Sequence, residues 1–337
     1  MSTVRIGSRF VSLILLLWLA LAGPWAGPSW LAGVHAATAP QAAVPGSLWF
    51  GGLERTYRVY VPVSLDRSRR AALVIVLHGG GGTGDGMQKL TRGGFNRLAD
   101  RDGFVVVYPD GLDRHWNDGR GVTSYRAHRE NVDDVGFLGA LVDHLARSVP
   151  IDRARVYATG ISNGGLMSFR LAREAATLVT AVAPVAISMS EQIAQMRQPV
   201  RSVPVVMIPG VDDPLVPYGG GAIGFAAARN QGRADVGRVL SIADTTRYWV
   251  EHNQCARAPS ITMEPDRDPE DGTRVRREVY GPCRDGTEVA LYAVEGGGHT
   301  WPGGLQYLPA RIIGRTSRDI DANEVIWSFF RRFTLKP

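Results

Sequence analysis

The feature that most constrains this chain is a series of strand-length apolar runs with no polar alternation. Residues 72–77, 104–108, 179–187 and 203–208 are of this kind, and 155–159 and 288–294 are further strand candidates. Runs of Val, Ile and Leu without alternation indicate strands buried on both faces, which is the condition of a parallel sheet covered by helices. The intervening segments supply those helices. Residues 87–102 and 131–148 have helical spacing, the latter capped near Asp133 or Asp134. Helices are likewise expected from Asn163 to about residue 176, over 241–252, and over 322–333 as a closing amphipathic helix. Ahead of the alternating pattern, residues 48–62 read as two strands joined at Gly51-Gly52, an antiparallel hairpin. With 337 residues, 45% of them hydrophobic, the chain can bury a sizeable core. No internal repeat or low-complexity linker divides it, so residues 46–337 are expected to form one α/β domain. The glycine- and alanine-rich stretch 214–237 follows a strand directly and is expected to be an active-site loop or a small cap.

The first residues differ from the rest. Arg5 and Arg9 precede the uncharged apolar run 10–22, and Val34-His35-Ala36 precedes Ala37. This is the layout of a secretory signal peptide over residues 1–36, followed by a flexible segment over 37–45. The apolar run falls short of the ~20 residues that span a bilayer. A secreted product, extracellular or periplasmic and free of the membrane after cleavage, is therefore expected. Cys255 and Cys283 are the two cysteines, and in an oxidising compartment they suggest one disulfide. No Cys/His cluster has zinc spacing, so no metal site and no cofactor are expected. The net charge of +6 invites a nucleic-acid reading. Two of the positive charges, Arg5 and Arg9, leave with the leader, and the remaining arginines are dispersed along the chain. No recognition module accompanies them, and no nucleic-acid partner is expected.

Chemistry enters at Gly160-Ile161-Ser162-Asn163-Gly164, a G-x-S-x-G match between a strand and a helix. Such a turn is sharp enough to need small residues on both sides of the serine. A serine hydroxyl is a weak nucleophile without an adjacent base. Two histidines follow it, His252 and His299. His252 looks like a solvated helix end. His299 lies in a loop after a strand and Gly296-Gly297-Gly298, at the strand ends where catalytic groups of open α/β sheets gather, and is the base expected here. The acid that orients the imidazole is expected between serine and histidine. Asp212 and Asp213 both follow the strand at 203–208, and periodicity does not choose between them. The oxyanion of the tetrahedral intermediate needs backbone N–H donors. Asn163 is one candidate. The turn His78-Gly79-Gly80-Gly81-Gly82 supplies the second, with Gly80 the first choice and Gly81 the next. A phosphate-binding role for that turn would need the Lys-Ser/Thr ending of a P-loop, which is missing. Trp116, Tyr218 and Trp301 lie in loops at the expected strand ends and are candidates for lining the substrate pocket, loop packing being the alternative.

Taken with these segments, Tyr108-Pro109-Asp110-Gly111, Trp116-Asn117-Asp118, Asn131-Val132-Asp133-Asp134-Val135-Gly136-Phe137, Asp213-Pro214-Leu215-Val216-Pro217-Tyr218 and Gly297-Gly298-His299-Thr300-Trp301-Pro302 carry a resemblance. Over residues 57–333 the chain resembles the polyhydroxybutyrate depolymerase/feruloyl esterase group of α/β-hydrolases. The resemblance implies an α/β-hydrolase fold, secretion and serine esterase activity, with Ser162, Asp213 and His299 as triad. It also implies a Cys255–Cys283 disulfide. The implied substrates are hydroxyalkanoate esters or oligomers, with feruloyl or acetyl esters of plant polysaccharide as the alternative. A non-catalytic binding protein on the same fold is the reading from another class. One departure is Pro209-Gly210, where family members commonly have His-Gly before the acid loop.

Overall fold

The computed structural model describes residues 43–225 and 236–335. The expected leader, residues 1–36, lies outside the described residues, as do residues 37–42 and the stretch 226–235 within the glycine- and alanine-rich segment. Val44 and Pro45, expected in a flexible segment, instead open strand β1 (Val44–Phe50). It pairs antiparallel with β2 (Leu53–Tyr60) through Gly51 and Gly52. Both glycines have positive φ, 59° and 76°, the backbone that a tight hairpin turn requires.

The strands that follow are β3 (Ala71–Leu77), β4 (Val105–Pro109), β5 (Ile151–Ile161), β6 (Ala181–Val185) and β7 (Val205–Met207). A two-residue ribbon, β8 (Gly221–Ala222) with β9 (Arg238–Val239), stands apart. β10 (Ser260–Met263), β11 (Arg274–Tyr280) and β12 (Val289–Glu295) complete a ten-stranded sheet in the order β1-β2-β4-β3-β5-β6-β7-β12-β11-β10. The six strands from β4 to β12 run parallel, and antiparallel pairs flank them on both sides. The pair on the C-terminal side has no apolar run to announce it. β10 is exposed throughout, and β11 carries four charged residues in seven.

Along β3, Leu73, Ile75 and Leu77 enter one core, while Ala72, Val74 and Val76 enter the other. The period-two alternation of a strand therefore divides a continuous apolar run between two helix-covered faces. One expected helix is broken. Residues 87–102 form two helices, Gly84–Leu90 and Gly94–Asp102, because Arg92 and Gly93 both take positive φ. The remaining helices stand close to expectation at Asp134–Leu145, Asn163–Glu174, Ile242–His252 and Ala322–Phe330, and Asp133 caps the first of them through Gly136 N.

Buried polar links tie the loops at the strand ends to the sheet. Arg55 of β2 pairs with Asp134 at 2.6 Å and donates to the Asp110 carbonyl at 3.1 Å. Asp134 also accepts from the Asn117 amide at 2.7 Å. The first residue after β3, His78, accepts from the Gly111 amide through Nε2 at 2.9 Å and donates from Nδ1 to the Gly79 carbonyl at 2.8 Å. These two bonds require the neutral ring, and burial pushes its pKa down to about 4.

Two predictions concern stability. Cys255 and Cys283 are disulfide-bonded across a sequence separation of 28. Opening that loop by a Cys255→Ser/Cys283→Ser double change is expected to cost about 3–4 kcal/mol, read as a lower urea midpoint. An unchanged midpoint would contradict it. His78 titrates lower in the folded protein than the ~6.5 of an unfolded chain, so its contribution is present above that pH and lost as pH falls towards about 4. The loss amounts to about 3 kcal/mol and should shrink in His78→Gln when melts at near-neutral and acid pH are compared. Equal acid losses in both proteins would contradict the assignment.

Candidate active site

Strand β5 runs directly into the helix Asn163–Glu174, and Ser162 stands at the junction with φ 55° and ψ −118°. A positive φ is uncommon for a non-glycine residue. The neighbours explain how the turn closes. A methyl group on Gly160 would fall against the Gly164 backbone and the Leu77 carbonyl, and one on Gly164 against the carbonyls of Leu77 and His78. The Ser162 amide is fixed by the Val185 carbonyl of β6 at 3.0 Å.

The loops that carry His299 and Asp213 follow neighbouring parallel strands. The Val211 amide donates to the Val294 carbonyl at 2.9 Å, and the Asp212 amide to the Gly297 carbonyl at 3.0 Å. The Val294 amide in turn donates to the Pro209 carbonyl at 3.0 Å, so Pro209 supports the junction with its carbonyl alone. His299 Nδ1 lies 2.7 Å from Asp213 Oδ2. The other Asp213 oxygen accepts from the amides of Leu215 and Val216 at 2.8 and 2.9 Å. Both side chains are buried. Asp212 turns elsewhere and accepts from the Gly296 amide at 2.9 Å, pinning the glycine run that leads to the histidine.

Ser162 and His299 line one cavity of about 270 Å³ with His78, the glycines 79–82, Met87, Leu90, Ile161 and Tyr307. Among the described residues no hydrogen bond joins the Ser162 hydroxyl to the His299 ring, whose Nδ1 faces Asp213. The Tyr307 hydroxyl donates to the His299 carbonyl at 2.9 Å.

The donor candidates separate cleanly. The Gly81 amide is already engaged by the Arg114 carbonyl at 2.8 Å and is therefore corrected from second choice to a loop-fixing bond. Among the described residues the amides of Gly80 and Asn163 donate to no protein group. The Asn163 side chain is clamped, accepting from the Trp116 amide at 2.8 Å and donating to the Trp116 carbonyl at 3.0 Å and to Asp118 at 2.5 Å.

The three aromatic pocket candidates do not line this cavity. Trp116 and Trp301 are fully buried. Trp116 donates its indole N–H to the His78 carbonyl at 3.0 Å, and Trp301 packs edge-on against Phe95. Tyr218 lines a different cavity of about 560 Å³, whose walls include Ile242, Arg276 and Tyr280 and neither Ser162 nor His299. His252 is not a solvated helix end. It is half-buried, its ring stacks on Tyr248, and Nε2 lies 2.8 Å from the Arg201 carbonyl. Met87, Leu90 and Tyr307 were not foreseen. The signal for Tyr307 was its place in the loop after His299.

Among the described residues no helix is long and apolar enough to cross a membrane. No group of three or more His, Cys, Asp or Glu among them is arranged to hold a metal ion.

Residues 55–223 match the family model for esterase PHB depolymerases. NocK of Nocardia uniformis subsp. tsuyamanensis, named for an inferred esterase activity, is 32% identical over 280 residues, covering 82% of this chain and 79% of that protein. Feruloyl esterase B of Piromyces equi is 27% identical over 209 residues, 60% of this chain, and the chain spans only 35% of that enzyme's length. The crystal structure of a thermostable esterase superposes with a TM-score of 0.52 at 17% identity, covering 87% of this chain and 64% of that one. This last likeness speaks for the fold alone, an α/β-hydrolase. On the family match and the NocK relationship together, the chain belongs to the PHB depolymerase family of esterases.

Proposed function

We propose that this chain is a secreted serine carboxylic-ester hydrolase in which Ser162 is the nucleophile, His299 the general base and Asp213 the acid that orients it. The observation that carries the reading is the 2.7 Å His299–Asp213 pair, buried beside a cavity that also takes in Ser162 at its strained turn. The imidazole takes the serine proton as the hydroxyl oxygen attacks the ester carbonyl. The negative charge that forms on the carbonyl oxygen is met by the amides of Gly80 and Asn163. The C–O bond to the alcohol breaks, His299 returns the proton to it, and water activated by the same imidazole cleaves the acyl-enzyme. Asp213 holds Nδ1–H towards its own carboxylate, which leaves Nε2 as the basic nitrogen. No cofactor enters any step.

Esters or oligomers of hydroxyalkanoates are the proposed substrates. Support comes from the family description and from the cavity, whose apolar walls of Met87, Leu90 and Ile161 suit a compact acyl unit. Leu305 and Leu308, exposed on the loop that carries Tyr307, and Ile312 on the short helix after it extend that apolar character outside the cavity. Feruloyl or acetyl esters of plant polysaccharide are the second reading, favoured by the relationship to feruloyl esterase B. Export through the leader at residues 1–36 belongs to this proposal, and the disulfide agrees with it.

Three substitutions test the assignment on a small aryl ester. Ser162→Ala should abolish turnover while the fold persists. Asp213→Asn should lower kcat by roughly 10³–10⁴ through the wrong imidazole tautomer. Asp212→Asn keeps an oxygen that can accept from the Gly296 amide, so it should retain most of the activity. Equal losses at the two aspartates would overturn the choice of acid. A panel of hydroxybutyrate oligomers, methyl ferulate and acetylated xylan tests the substrate reading. The highest kcat/KM is expected for the oligomers, and a preference for methyl ferulate would replace it with the second reading.

A further inference from the structure

The two proposed oxyanion donors come from different turns, Gly80 after β3 and Asn163 after β5, and the transition state needs them at one fixed spacing. A single buried segment touches both turns. Trp116 sends its indole N–H to the His78 carbonyl at 3.0 Å, at the root of the Gly80 turn, and its ring packs on that of His78 at 5.0 Å. The backbone of the same residue makes two bonds to the side-chain amide of Asn163, accepted by its Oδ1 at 2.8 Å and donated by its Nδ2 at 3.0 Å. Two residues on, Asp118 accepts from the same Asn163 nitrogen at 2.5 Å.

The carboxylate also fixes the sense of that amide. A flipped Asn163 would set its oxygen against the Asp118 carboxylate and its NH₂ against the Trp116 N–H, so both contacts would become repulsive. Asp118 is fully buried and is itself held by Arg120, whose guanidinium lies 2.8 Å from it and reaches the Val236 carbonyl at 2.7 Å. Asn117, between the two, is anchored through its amide to Asp134 at 2.7 Å. The segment is therefore fixed from behind as well as in front.

We infer that Trp116 and Asp118 are positioning residues that set the separation and aim of the Gly80 and Asn163 amides. The inference rests on the serine-ester reading above and adds to it the residues that act through the donors without touching substrate. A residue needed for folding alone would lower stability and leave the kcat of the folded fraction intact. A residue that aims the donors lowers kcat, with little change in KM, because the lost interaction exists only in the transition state.

The test compares Asp118→Asn and Trp116→Phe with the parent and with Ser162→Ala on p-nitrophenyl butyrate. Inhibition by an alkyl trifluoromethyl ketone is measured in parallel, because its serine adduct places an oxyanion between the donors. Each of the two variants should lose roughly 10- to 100-fold in kcat with KM within about threefold, less than or equal to the loss of a whole donor. Ketone affinity should fall by the same factor as kcat/KM. Asn163→Ala keeps the main-chain N–H but removes the amide that Trp116 and Asp118 grip. It should reproduce the defect, and it carries the test if a buried-site variant fails to fold. Folded variants with kcat within about twofold of the parent would overturn the inference. A loss confined to KM, or a kcat loss with ketone affinity intact, would do the same. Ser162→Ala separates the two failures: activity retained there removes the serine mechanism, whereas activity lost there but kept in the positioning variants removes only this role.

Discussion

Leu77 and Gly160 stand opposite each other in the parallel β3–β5 pair, and the chain leaves the sheet just beyond both points. That one register sets the glycine turn after β3 beside the serine turn after β5. The approach is so close that Gly160 and Gly164 lie against the carbonyls at the end of β3 with no space for a side chain. Three strands along, β7 and β12 lie side by side in the same parallel sense, and a bridge between Gly210 and Val294 carries the pairing on to the loops that hold Asp213 and His299. The site is thus a consequence of strand register, because parallel strands direct all their following loops to one edge of the sheet.

What register leaves loose, buried polar contacts fix. Asp134 bridges Arg55 of β2 and the Asn117 amide, His78 joins its own turn to Gly111, and Asp118 joins Arg120 to Asn163. Burial pushes the Asp134 carboxyl up, against the pull of Arg55, so this pair is no simple source of stability. Such a pair is better understood as specifying one arrangement of loops over its competitors. Removing one partner would leave a charge or dipole buried without compensation.

The parts legible in the sequence are those that local chemistry dictates. Apolar runs marked the parallel strands, and small residues around Ser162 marked the sharp turn. The glycine run before His299 marked the loop that brings it to Asp213. The parts that escaped depend on contacts distant in sequence. For Trp116 and Trp301 the sequence leaves pocket lining and loop packing open, and each is buried by partners that no local pattern reveals. Gly81 and Gly80 are indistinguishable until the Arg114 carbonyl claims one of their amides. Strand β10 is exposed throughout and β11 carries charge, so neither shows an apolar run, because both extend the sheet past its parallel centre. The choice between Asp212 and Asp213 was open to local pattern and came from the family resemblance; in the fold Asp212 faces the Gly296 amide and Asp213 faces the imidazole.

The most direct measurement is the site of covalent capture by a fluorophosphonate, mapped by mass spectrometry of peptides from the purified, folded protein. A single adduct on the peptide containing Ser162, lost on acid denaturation before labelling, is the result expected of a hydroxyl activated by its folded surroundings. An adduct on another residue, or none from a preparation that hydrolyses esters, would contradict the account.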